Sequence, residues 1–320
     1  MIFLVTGANS YIGSRLVAYL LTGGHKVRCL VRDREKGEPL AKLGAEVVVG
    51  DITKGRSLKG LTDGIEVVYH LAGDASENAE KTHRVNVGGT KNLMEACGDK
   101  KIKALIFTSS IDVYGDTKGE RVDEDSPTAP YTPYSRAKLT AENDLLDEYD
   151  NTGFPVIVLR LASVYGPGSP TLHEEGIKEG RFPILGAGNN WMNFIQIEDL
   201  LSILGQTYQK GKAGEIYIVS DDEPVTYKDF YGYIADKLGV SPPRHKSAAL
   251  VKLMVSVFKR LERLTGVPPI ITHNSIKILL SSRRSSNLKL KKDLGITLSF
   301  PTFREGLDLL ITSSQGGKLQ

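Results

Sequence analysis

The chain has 320 residues, of which 40% are hydrophobic and 25% are charged. These proportions are those of an ordinary globular protein, long enough for one large or two modest domains with a sizeable core. The net charge of +3 is too small to suggest nucleic acid or an anionic membrane as a partner.

The cysteines and the apolar runs bear on the compartment. Cys29 and Cys97 lie in apolar segments, which predicts buried free thiols rather than a disulfide framework. The chain begins with a strand-length apolar run, residues 2–5, that is too short for a signal-peptide core. No apolar run reaches the roughly 20 residues that a membrane-spanning helix needs. We therefore expect a cytoplasmic protein that acts on a small molecule, with no metal.

Short apolar runs alternate with amphipathic helical patterns through the first half of the chain. The predicted strands are residues 2–5, 27–31, 46–49, 67–71, 104–108 and 156–161, with helices between them, for example 13–22 and 87–96. This alternation predicts an α/β fold with a Rossmann-type doubly wound parallel sheet. Runs such as 47–49, which are apolar throughout, predict strands that are buried on both faces.

The second half of the chain follows a different pattern. A strand at 215–219 is expected at the edge of the same sheet, and helices are expected at 227–238, 248–264 and 272–280. Leu250, Met254, Val257, Phe258 and Leu261 form an apolar stripe that either lines a substrate pocket or packs on its own lobe. The predicted units are a dinucleotide-binding domain at 1–165, completed by 194–222, a mostly helical substrate lobe at 166–193 and 223–312, and a flexible tail at 313–320.

A glycine-spaced turn lies between the first predicted strand and the first predicted helix. Its sequence is Thr6-Gly7-Ala8-Asn9-Ser10-Tyr11-Ile12-Gly13. Glycines let a backbone approach a pyrophosphate closely, and a helix N-terminus offers free N–H groups and a positive dipole end. The turn therefore predicts a nicotinamide-dinucleotide site. We expect the Ser10 hydroxyl either to donate to a phosphate or to cap the helix.

The end of the second strand indicates which dinucleotide is bound. An acidic side chain there accepts bonds from the ribose of NAD, whereas an arginine accommodates the 2′-phosphate of NADP. Val31 stands at the expected acidic position and Arg32 follows it, so we predict NADP with Arg32 as the phosphate contact. Asp33 leaves NAD open, because a shift of one residue would bring its carboxylate to the ribose. Asp51 is a candidate either for the adenine amino group or for a helix cap.

Tyr134 and Lys138 lie four residues apart, which places them on one face of a predicted helix. A phenol with a pKa near ~10 is a poor base at neutral pH, but a neighbouring ammonium favours the phenolate and lowers that pKa. Lys138 can also bond the nicotinamide ribose. Ser110, at the end of the fifth strand, is expected to meet the substrate oxygen together with Tyr134. The arrangement predicts proton transfer.

Several segments together carry a resemblance to a known family: Thr6 to Gly13, His70 to Gly73, Asn86 to Thr90, Thr108 to Gly115, Tyr134 to Lys138, Leu159 to Gly168, Phe194 to Leu200 and Lys291 to Gly295. They resemble the extended short-chain dehydrogenase/reductases of the NAD-dependent epimerase/dehydratase superfamily. The resemblance implies hydride transfer at a carbon bearing oxygen, with Ser110, Tyr134 and Lys138 as the catalytic set. It implies that Asn86 supports an active-site water and the backbone, and it suggests a homodimer.

Departures from the family pattern narrow the substrate. The Thr-Asp-Glu run of nucleotide-sugar 4,6-dehydratases corresponds here to Ser110-Ile111-Asp112, which lacks the middle acid, so Asp112 is interpreted as a loop acid. Nucleotide-sugar epimerases carry an arginine before the segment that matches Phe194 to Leu200. Residues 189–193 hold no cation, and Arg181 is a distant substitute. The second strand and residues 269–276 resemble dihydroflavonol reductases and 3-beta-hydroxysteroid dehydrogenases.

These observations lead to an ordered set of functional hypotheses. The first is an NADP-dependent oxidoreductase that interconverts a ketone and a secondary alcohol, with Tyr134 as general acid/base. The alternatives are a nucleotide-sugar epimerase with tightly bound NAD(P) and a non-catalytic dinucleotide-binding protein. The predicted cofactor contacts are Gly7, Asn9, Ser10, Tyr11, Ile12, Gly13, Arg32, Asp51, Ile52, Leu71, Ala72, Gly73, Tyr134, Lys138, Ala162 and Val164.

Overall fold

The computed structural model describes residues 1–98, 100–253, 255–256 and 273–315. Its centre is a seven-stranded sheet in which every neighbouring pair is parallel. The strands are β1 (Ile2–Thr6), β2 (Lys26–Val31), β3 (Glu46–Val49), β4 (Val67–His70), β5 (Ala104–Ser110), β6 (Val156–Leu161) and β7 (Ile216–Val219). Their spatial order is β7-β6-β5-β4-β1-β2-β3. The order reverses between β1 and β4, which is where ligands bind in doubly wound sheets.

Helices cover both faces of this sheet, and others lie outside it. The described helices are α1 (Tyr11–Thr22), α2 (Arg34–Lys42), α3 (Ala79–His83), α4 (Gly89–Cys97), α5 (Pro133–Thr152), α6 (Glu174–Lys178), α7 (Ile197–Lys210), α8 (Tyr227–Lys237), α9 (His273–Leu280), α10 (Leu288–Leu294) and α11 (Phe303–Gln315). Leu16 of α1 and Leu204 of α7 belong to one apolar core, and Leu93 of α4 and Leu145 of α5 belong to the other. The predicted Rossmann-type doubly wound fold is therefore confirmed.

The predicted strands of the sheet agree with the structure, with one difference in burial. β7 pairs with β6 at the sheet edge, as expected for residues 215–219. The expectation that residues 47–49 are buried on both faces is wrong, because Val49 is 44% exposed. β3 lies at the opposite edge of the sheet, so it has a neighbour on one side only. Flanking helices cover an edge strand less completely than a central one.

The remaining strands are short and pair in twos outside the main sheet. The pairs are Ser163–Tyr165 with Phe194–Gln196, Ile184–Leu185 with His245–Lys246, Trp191–Met192 with Val225–Thr226, and Arg121–Val122 with Arg284–Ser285. A separate apolar core joins several of these segments to α8 and α11, through Tyr165, Phe194, Phe230 and Phe303. This core is compatible with the predicted substrate lobe, whose boundaries stay a prediction.

Parts of the C-terminal prediction lie outside the described residues. Residues 248–253 and 255–256 are helical, as expected at the start of the predicted helix 248–264. Met254, Val257, Phe258 and Leu261 of the apolar stripe lie outside the described residues. Of the predicted tail, 313–315 belong to α11, and 316–320 are not described.

Candidate active site

A groove with two adjoining cavities runs across the carboxyl ends of the central strands. Among the predicted contacts, the first cavity is lined by Gly7, Asn9, Ser10, Arg32, Asp51, Ile52, Leu71, Ala72 and Gly73. The second cavity is lined by Ser10, Ile12, Leu71, Gly73, Ser110, Tyr134, Lys138, Ala162 and Val164. Ser10, Leu71 and Gly73 border both, so the cavities are parts of one groove. Tyr11, Gly13 and Asn86 line neither.

The glycine turn after β1 leaves no room for side chains at its two ends. Gly7 has a φ of +67°, and a β-carbon there would lie 2.8 Å from the Ala72 nitrogen. A β-carbon on Gly13 would collide with the Gly7 carbonyl oxygen. The Ser10 hydroxyl accepts a hydrogen bond of 3.0 Å from the Gly13 N–H, so Ser10 caps α1. This tight strand-to-helix turn fits the pyrophosphate of a dinucleotide.

The Tyr11 side chain lines neither cavity and packs elsewhere. The Arg15 guanidinium lies 4.0 Å from the centre of the Tyr11 ring, and the Tyr11 hydroxyl lies near Gly166. Tyr11 therefore packs the turn against residues that follow β6, and any cofactor contact from it would come from its backbone.

Val31 at the end of β2 and Arg32 after it both line the first cavity, and Asp33 is a helix cap. Val31 is buried, whereas Arg32 is exposed and lines the first cavity. The Asp33 carboxylate accepts a hydrogen bond of 3.0 Å from the Glu35 N–H and caps α2. It does not line the cavity. The cation is thus the side chain of this loop that faces the groove.

Asp51 also lines the first cavity, but part of its bonding capacity is used locally. One carboxylate oxygen accepts bonds from the Thr53 N–H at 2.9 Å and the Thr53 hydroxyl at 2.8 Å. Burial by itself raises the pKa of Asp51, but these bonds and the nearby Lys54 and Arg32 outweigh it, so the pKa is below its ordinary value. Asp51 is therefore an ionised acceptor held in a local turn.

Tyr134 and Lys138 lie in the first turns of α5, which Thr132 caps through a reciprocal capping box. The Lys138 ammonium donates to the Thr108 carbonyl at 2.7 Å and lies 6.0 Å from the centre of the Tyr134 ring. Ser110 ends β5, and its hydroxyl accepts a bond of 3.1 Å from the Asp112 N–H. The fold therefore brings the three predicted catalytic side chains into the second cavity.

Burial dominates the ionisation of this set. It lowers the pKa of Lys138 to about 8, and the Glu142 carboxylate opposes that change. Burial also raises the pKa of Tyr134 well above its ordinary value, the Asp112 and Glu142 carboxylates raise it further, and the Ser110 hydroxyl opposes them. Lys138 is not among the groups that shift the Tyr134 pKa, so the expected lowering by Lys138 is not found, and burial raises the pKa instead. The raised pKa keeps the Tyr134 hydroxyl protonated at neutral pH.

Asn86 supports the groove from behind. It lies in a π-helix, Arg84–Gly88, a deformation that often occurs at functional sites. Its side-chain oxygen accepts from the Asp74 N–H at 2.9 Å, and its amide nitrogen donates to the Asp74 carbonyl at 2.8 Å. Asn86 thus holds the backbone of the loop that follows β4.

A buried histidine, whose role sequence reasoning missed, links this π-helix to the glycine turn. His70 bonds the Thr6 hydroxyl through Nδ1 at 2.8 Å and the Thr90 hydroxyl through Nε2 at 2.9 Å. Because Thr90 donates to the Asn86 carbonyl, we assign the His70 proton to Nε2. Burial lowers the pKa of His70 to about 3, so the ring is neutral. Its place at the end of β4, in the segment His70 to Gly73, was the available signal.

A second missed feature is a buried ion pair beside the catalytic helix. Arg160 contacts the Glu142 carboxylate through Nη2 at 2.8 Å and Nε at 3.1 Å, and both side chains are buried. The Ser109 hydroxyl also donates to Glu142. Glu142 follows Lys138 by four residues on the same helix face, which was the signal that the sequence offered.

Two charged residues considered for substrate chemistry on the sequence, Asp112 and Arg181, each form an ion pair. Asp112 forms an ion pair of 2.6 Å with Arg283, in agreement with its interpretation as a loop acid. Arg181 pairs with Glu179. The described residues contain no group of three or more His, Cys, Asp or Glu side chains that could hold a metal, and none of the described helices could cross a membrane.

The model of the NAD dependent epimerase/dehydratase family matches residues 3–220, more than half of the chain. The chain belongs to this family. A 3 beta-hydroxysteroid dehydrogenase/Delta 5→4-isomerase from Mycobacterium tuberculosis is 28% identical over 93% of this chain and 86% of its own length. A 4-hydroxy-2-methyl-3-oxo-4-farnesyl-3,4-dihydroquinoline-1-oxide ketoreductase from Stigmatella aurantiaca is 25% identical over 98% and 97%.

A solved structure has the same fold over nearly the whole chain. The crystal structure of dTDP-glucose 4,6-dehydratase from Bacillus anthracis, in complex with NAD, superimposes with a TM-score of 0.79. It is 23% identical and covers 99% of this chain and 97% of its own. The solved structure shows the fold, and the family model with the two relatives identifies the protein as an NAD(P)-dependent enzyme of the extended short-chain dehydrogenase/reductase type.

Proposed function

We propose that this enzyme is an NADP-dependent oxidoreductase that interconverts a ketone and a secondary alcohol. The observation that carries the proposal is the second cavity, where Ser110, Tyr134 and Lys138 meet beside the glycine turn. The names of two relatives, a hydroxysteroid dehydrogenase and a ketoreductase, describe reactions of this class.

A bound nicotinamide dinucleotide supplies or accepts the hydride. For ketone reduction, the Tyr134 hydroxyl donates its proton to the substrate oxygen, and the elevated pKa of Tyr134 keeps that proton available at neutral pH. The Ser110 hydroxyl donates to the same oxygen and stabilises the charge that develops there. Lys138, with its pKa near 8, stays largely protonated at neutral pH and places a cation beside the phenol.

The choice of NADP rests on the loop after β2. Arg32 faces the first cavity, and no hydrogen bond or ion pair engages it among the residues that the structure describes. Asp33, the residue that would favour NAD, caps α2 instead. A guanidinium with free donors forms charge-assisted hydrogen bonds with a phosphate, whereas the two ribose hydroxyls of NAD offer it only neutral acceptors.

Initial rates with NADPH and NADH, measured on a panel of ketones, aldehydes and nucleotide sugars, test the proposal. We expect net oxidation of the cofactor by ketones and a kcat/KM at least about 10-fold higher with NADPH, a difference of about 1.4 kcal/mol. Arg32→Ala should remove most of that preference. Arg34→Ala is the matched control, since Arg34 is exposed and does not line the groove. A clear preference for NADH would overturn the cofactor assignment.

The same panel separates the alternatives. An epimerase would convert a nucleotide sugar with no net change in cofactor absorbance, and a non-catalytic protein would convert nothing. The pairing of Arg181 with Glu179 does not favour the epimerase, because it occupies the substitute cation for a diphosphate. The homodimer and the cytoplasmic location stay predictions, and light scattering of the purified protein would test the former.

A further inference from the structure

A segment near the C-terminus is bonded along the turn that follows β5. The Ser282 N–H donates to Asp116 at 2.9 Å, and the Gly119 N–H donates to the Ser282 carbonyl at 3.0 Å. Arg284–Ser285 then pairs in parallel with Arg121–Val122. Residues more than 160 positions apart in the sequence are thus brought together along the segment that follows Ser110.

Arg283 is the buried side chain at the centre of this contact. Its Nη2 pairs with Asp112 at 2.6 Å, and its Nη1 donates to the Gly115 carbonyl at 2.7 Å. Its backbone N–H donates to the Trp191 carbonyl at 3.0 Å, and its carbonyl accepts from the Asn193 amide at 2.9 Å. The guanidinium is thus held by the turn and the backbone of Arg283 by Trp191 and Asn193, and the side chain lines neither cavity of the groove.

The two groups that Arg283 bonds are on the turn that begins at Ser110. The 3₁₀ turn is Ile111–Tyr114, Ser110 caps it by accepting from the Asp112 N–H, and Gly115 ends it with a φ of +73°. A guanidinium that donates to Asp112 and to Gly115 fixes the first and last parts of this turn together. The orientation of the Ser110 hydroxyl depends on that turn.

Arg283 also bears on the charge around Tyr134. The charged groups that face Tyr134 are Asp112 on the turn, and Lys138 and Glu142 on α5. After burial, the Asp112 carboxylate is the largest cause of the raised Tyr134 pKa. Glu142 is neutralised by a buried arginine, and Arg283 is the corresponding partner of Asp112.

We propose that Arg283 is a positioning residue of the active site, which holds the turn that presents Ser110 and neutralises the Asp112 carboxylate that faces Tyr134. This role rests on the proposed function, since Ser110 and Tyr134 are the groups that would meet the substrate oxygen. Arg283 acts through them without touching the substrate. The C-terminal segment thereby completes a catalytic site whose reacting side chains all come from the first half of the chain.

Titration of Tyr134 in the complex with NADP⁺ tests the electrostatic part of this role. The ¹³C NMR signal of the Tyr134 phenolic carbon is followed as pH changes, and it is assigned by comparison with Tyr134→Phe. NADP⁺ is used because a positive charge near a phenol lowers its pKa, which brings the titration into a measurable pH range. Arg283→Met should raise the Tyr134 pKa by about half to one unit, and adding Asp112→Asn should remove the increase. The kcat for alcohol oxidation should show the same displacement along the pH axis.

Arg284→Met is the matched control. Arg284 belongs to the same segment, but it donates to the Gly119 carbonyl and lies over the Trp191 ring, 5.7 Å from its centre. It should leave the Tyr134 titration unchanged, although it removes a comparable contact of the segment. A Tyr134 titration that shifts equally in Arg284→Met and Arg283→Met would show general loosening and overturn the role of Arg283.

Two further outcomes decide the proposal. An unchanged titration in Arg283→Met, or an increase that persists in the double variant, overturns it. If Arg283→Met does not fold, Asp112→Asn alone must lower the Tyr134 pKa, and an unchanged value overturns the proposal. The titration needs only bound cofactor, so an enzyme that reduces no ketone but shows these shifts would contradict the proposed function and leave the role of Arg283 standing.

Discussion

Replacement of Glu142 by glutamine tests the buried ion pair beside the catalytic helix. Glu142 is 0% exposed and Arg160 is 4% exposed, and their closest contact is 2.8 Å. Glu142→Gln keeps the shape of the side chain and an acceptor for the Ser109 hydroxyl, but it leaves the Arg160 guanidinium without a counter-charge. Such a loss costs about 3–5 kcal/mol.

We take the lower end, about 3 kcal/mol, because the glutamine oxygen still accepts hydrogen bonds. This is a large part of a native stability of about 5–15 kcal/mol. At roughly 2–4 °C per kcal/mol, the midpoint of thermal unfolding should fall by about 6–12 °C. The Glu142 charge also raises the pKa of Lys138 against the effect of burial, so in Glu142→Gln the pKa of Lys138 should fall below about 8.

Urea unfolding followed by circular dichroism measures the stability change. Glu174→Gln is the matched control, since Glu174 and Lys178 form an exposed pair at 3.7 Å and its loss should cost less than about 0.5 kcal/mol. Joint replacement, Glu142→Leu with Arg160→Met, should recover most of the loss. A cost for Glu142→Gln that does not exceed that of Glu174→Gln would refute the reasoning.

Three further predictions concern the groove. Tyr134→Phe should lower kcat by at least about 100-fold and leave the cofactor affinity within twofold of the wild-type value. Tyr131→Phe is the control, since Tyr131 lies outside both cavities and its loss should not lower kcat. Equal kcat values for Tyr134→Phe and wild type in stopped-flow assays would contradict the role of Tyr134. Gly13→Ala should weaken dinucleotide binding at least about 10-fold in a fluorescence titration, because the new β-carbon would collide with the backbone of the turn. In the control Gly232→Ala, in α8, the new β-carbon has no atom within 4 Å, and the substitution should add up to about 1 kcal/mol of stability. Burial lowers the pKa of Lys138 from 10.5 to about 8, so between these pH values Lys138 is protonated in the unfolded chain and neutral in the folded one. The stability of the wild type therefore rises with pH through this window, and the gain in stability of Lys138→Met over wild type should shrink. Urea unfolding at pH 7.5 and at pH 10 would measure this.

The sequence by itself determined the features that depend on short stretches of chain. The strands follow from short runs of apolar residues, and their alternation with helical patterns predicts a doubly wound parallel sheet. The glycine turn follows from sterics between Gly7 and Gly13, and the shared face of Tyr134 and Lys138 follows from helical periodicity. Each of these constraints acts over a few residues, so the local sequence pattern is sufficient to predict the feature.

Only the tertiary structure decided which groups meet across the fold. The partner of Asp112 is Arg283, 171 positions away, and the partner of Glu142 is Arg160 on a neighbouring strand. The edge position of β3, which exposes Val49, depends on the order of strands in the sheet. The residue type fixes the charge and size of a side chain. The counter-charge and the local dielectric that set its pKa come from distant segments that packing brings together.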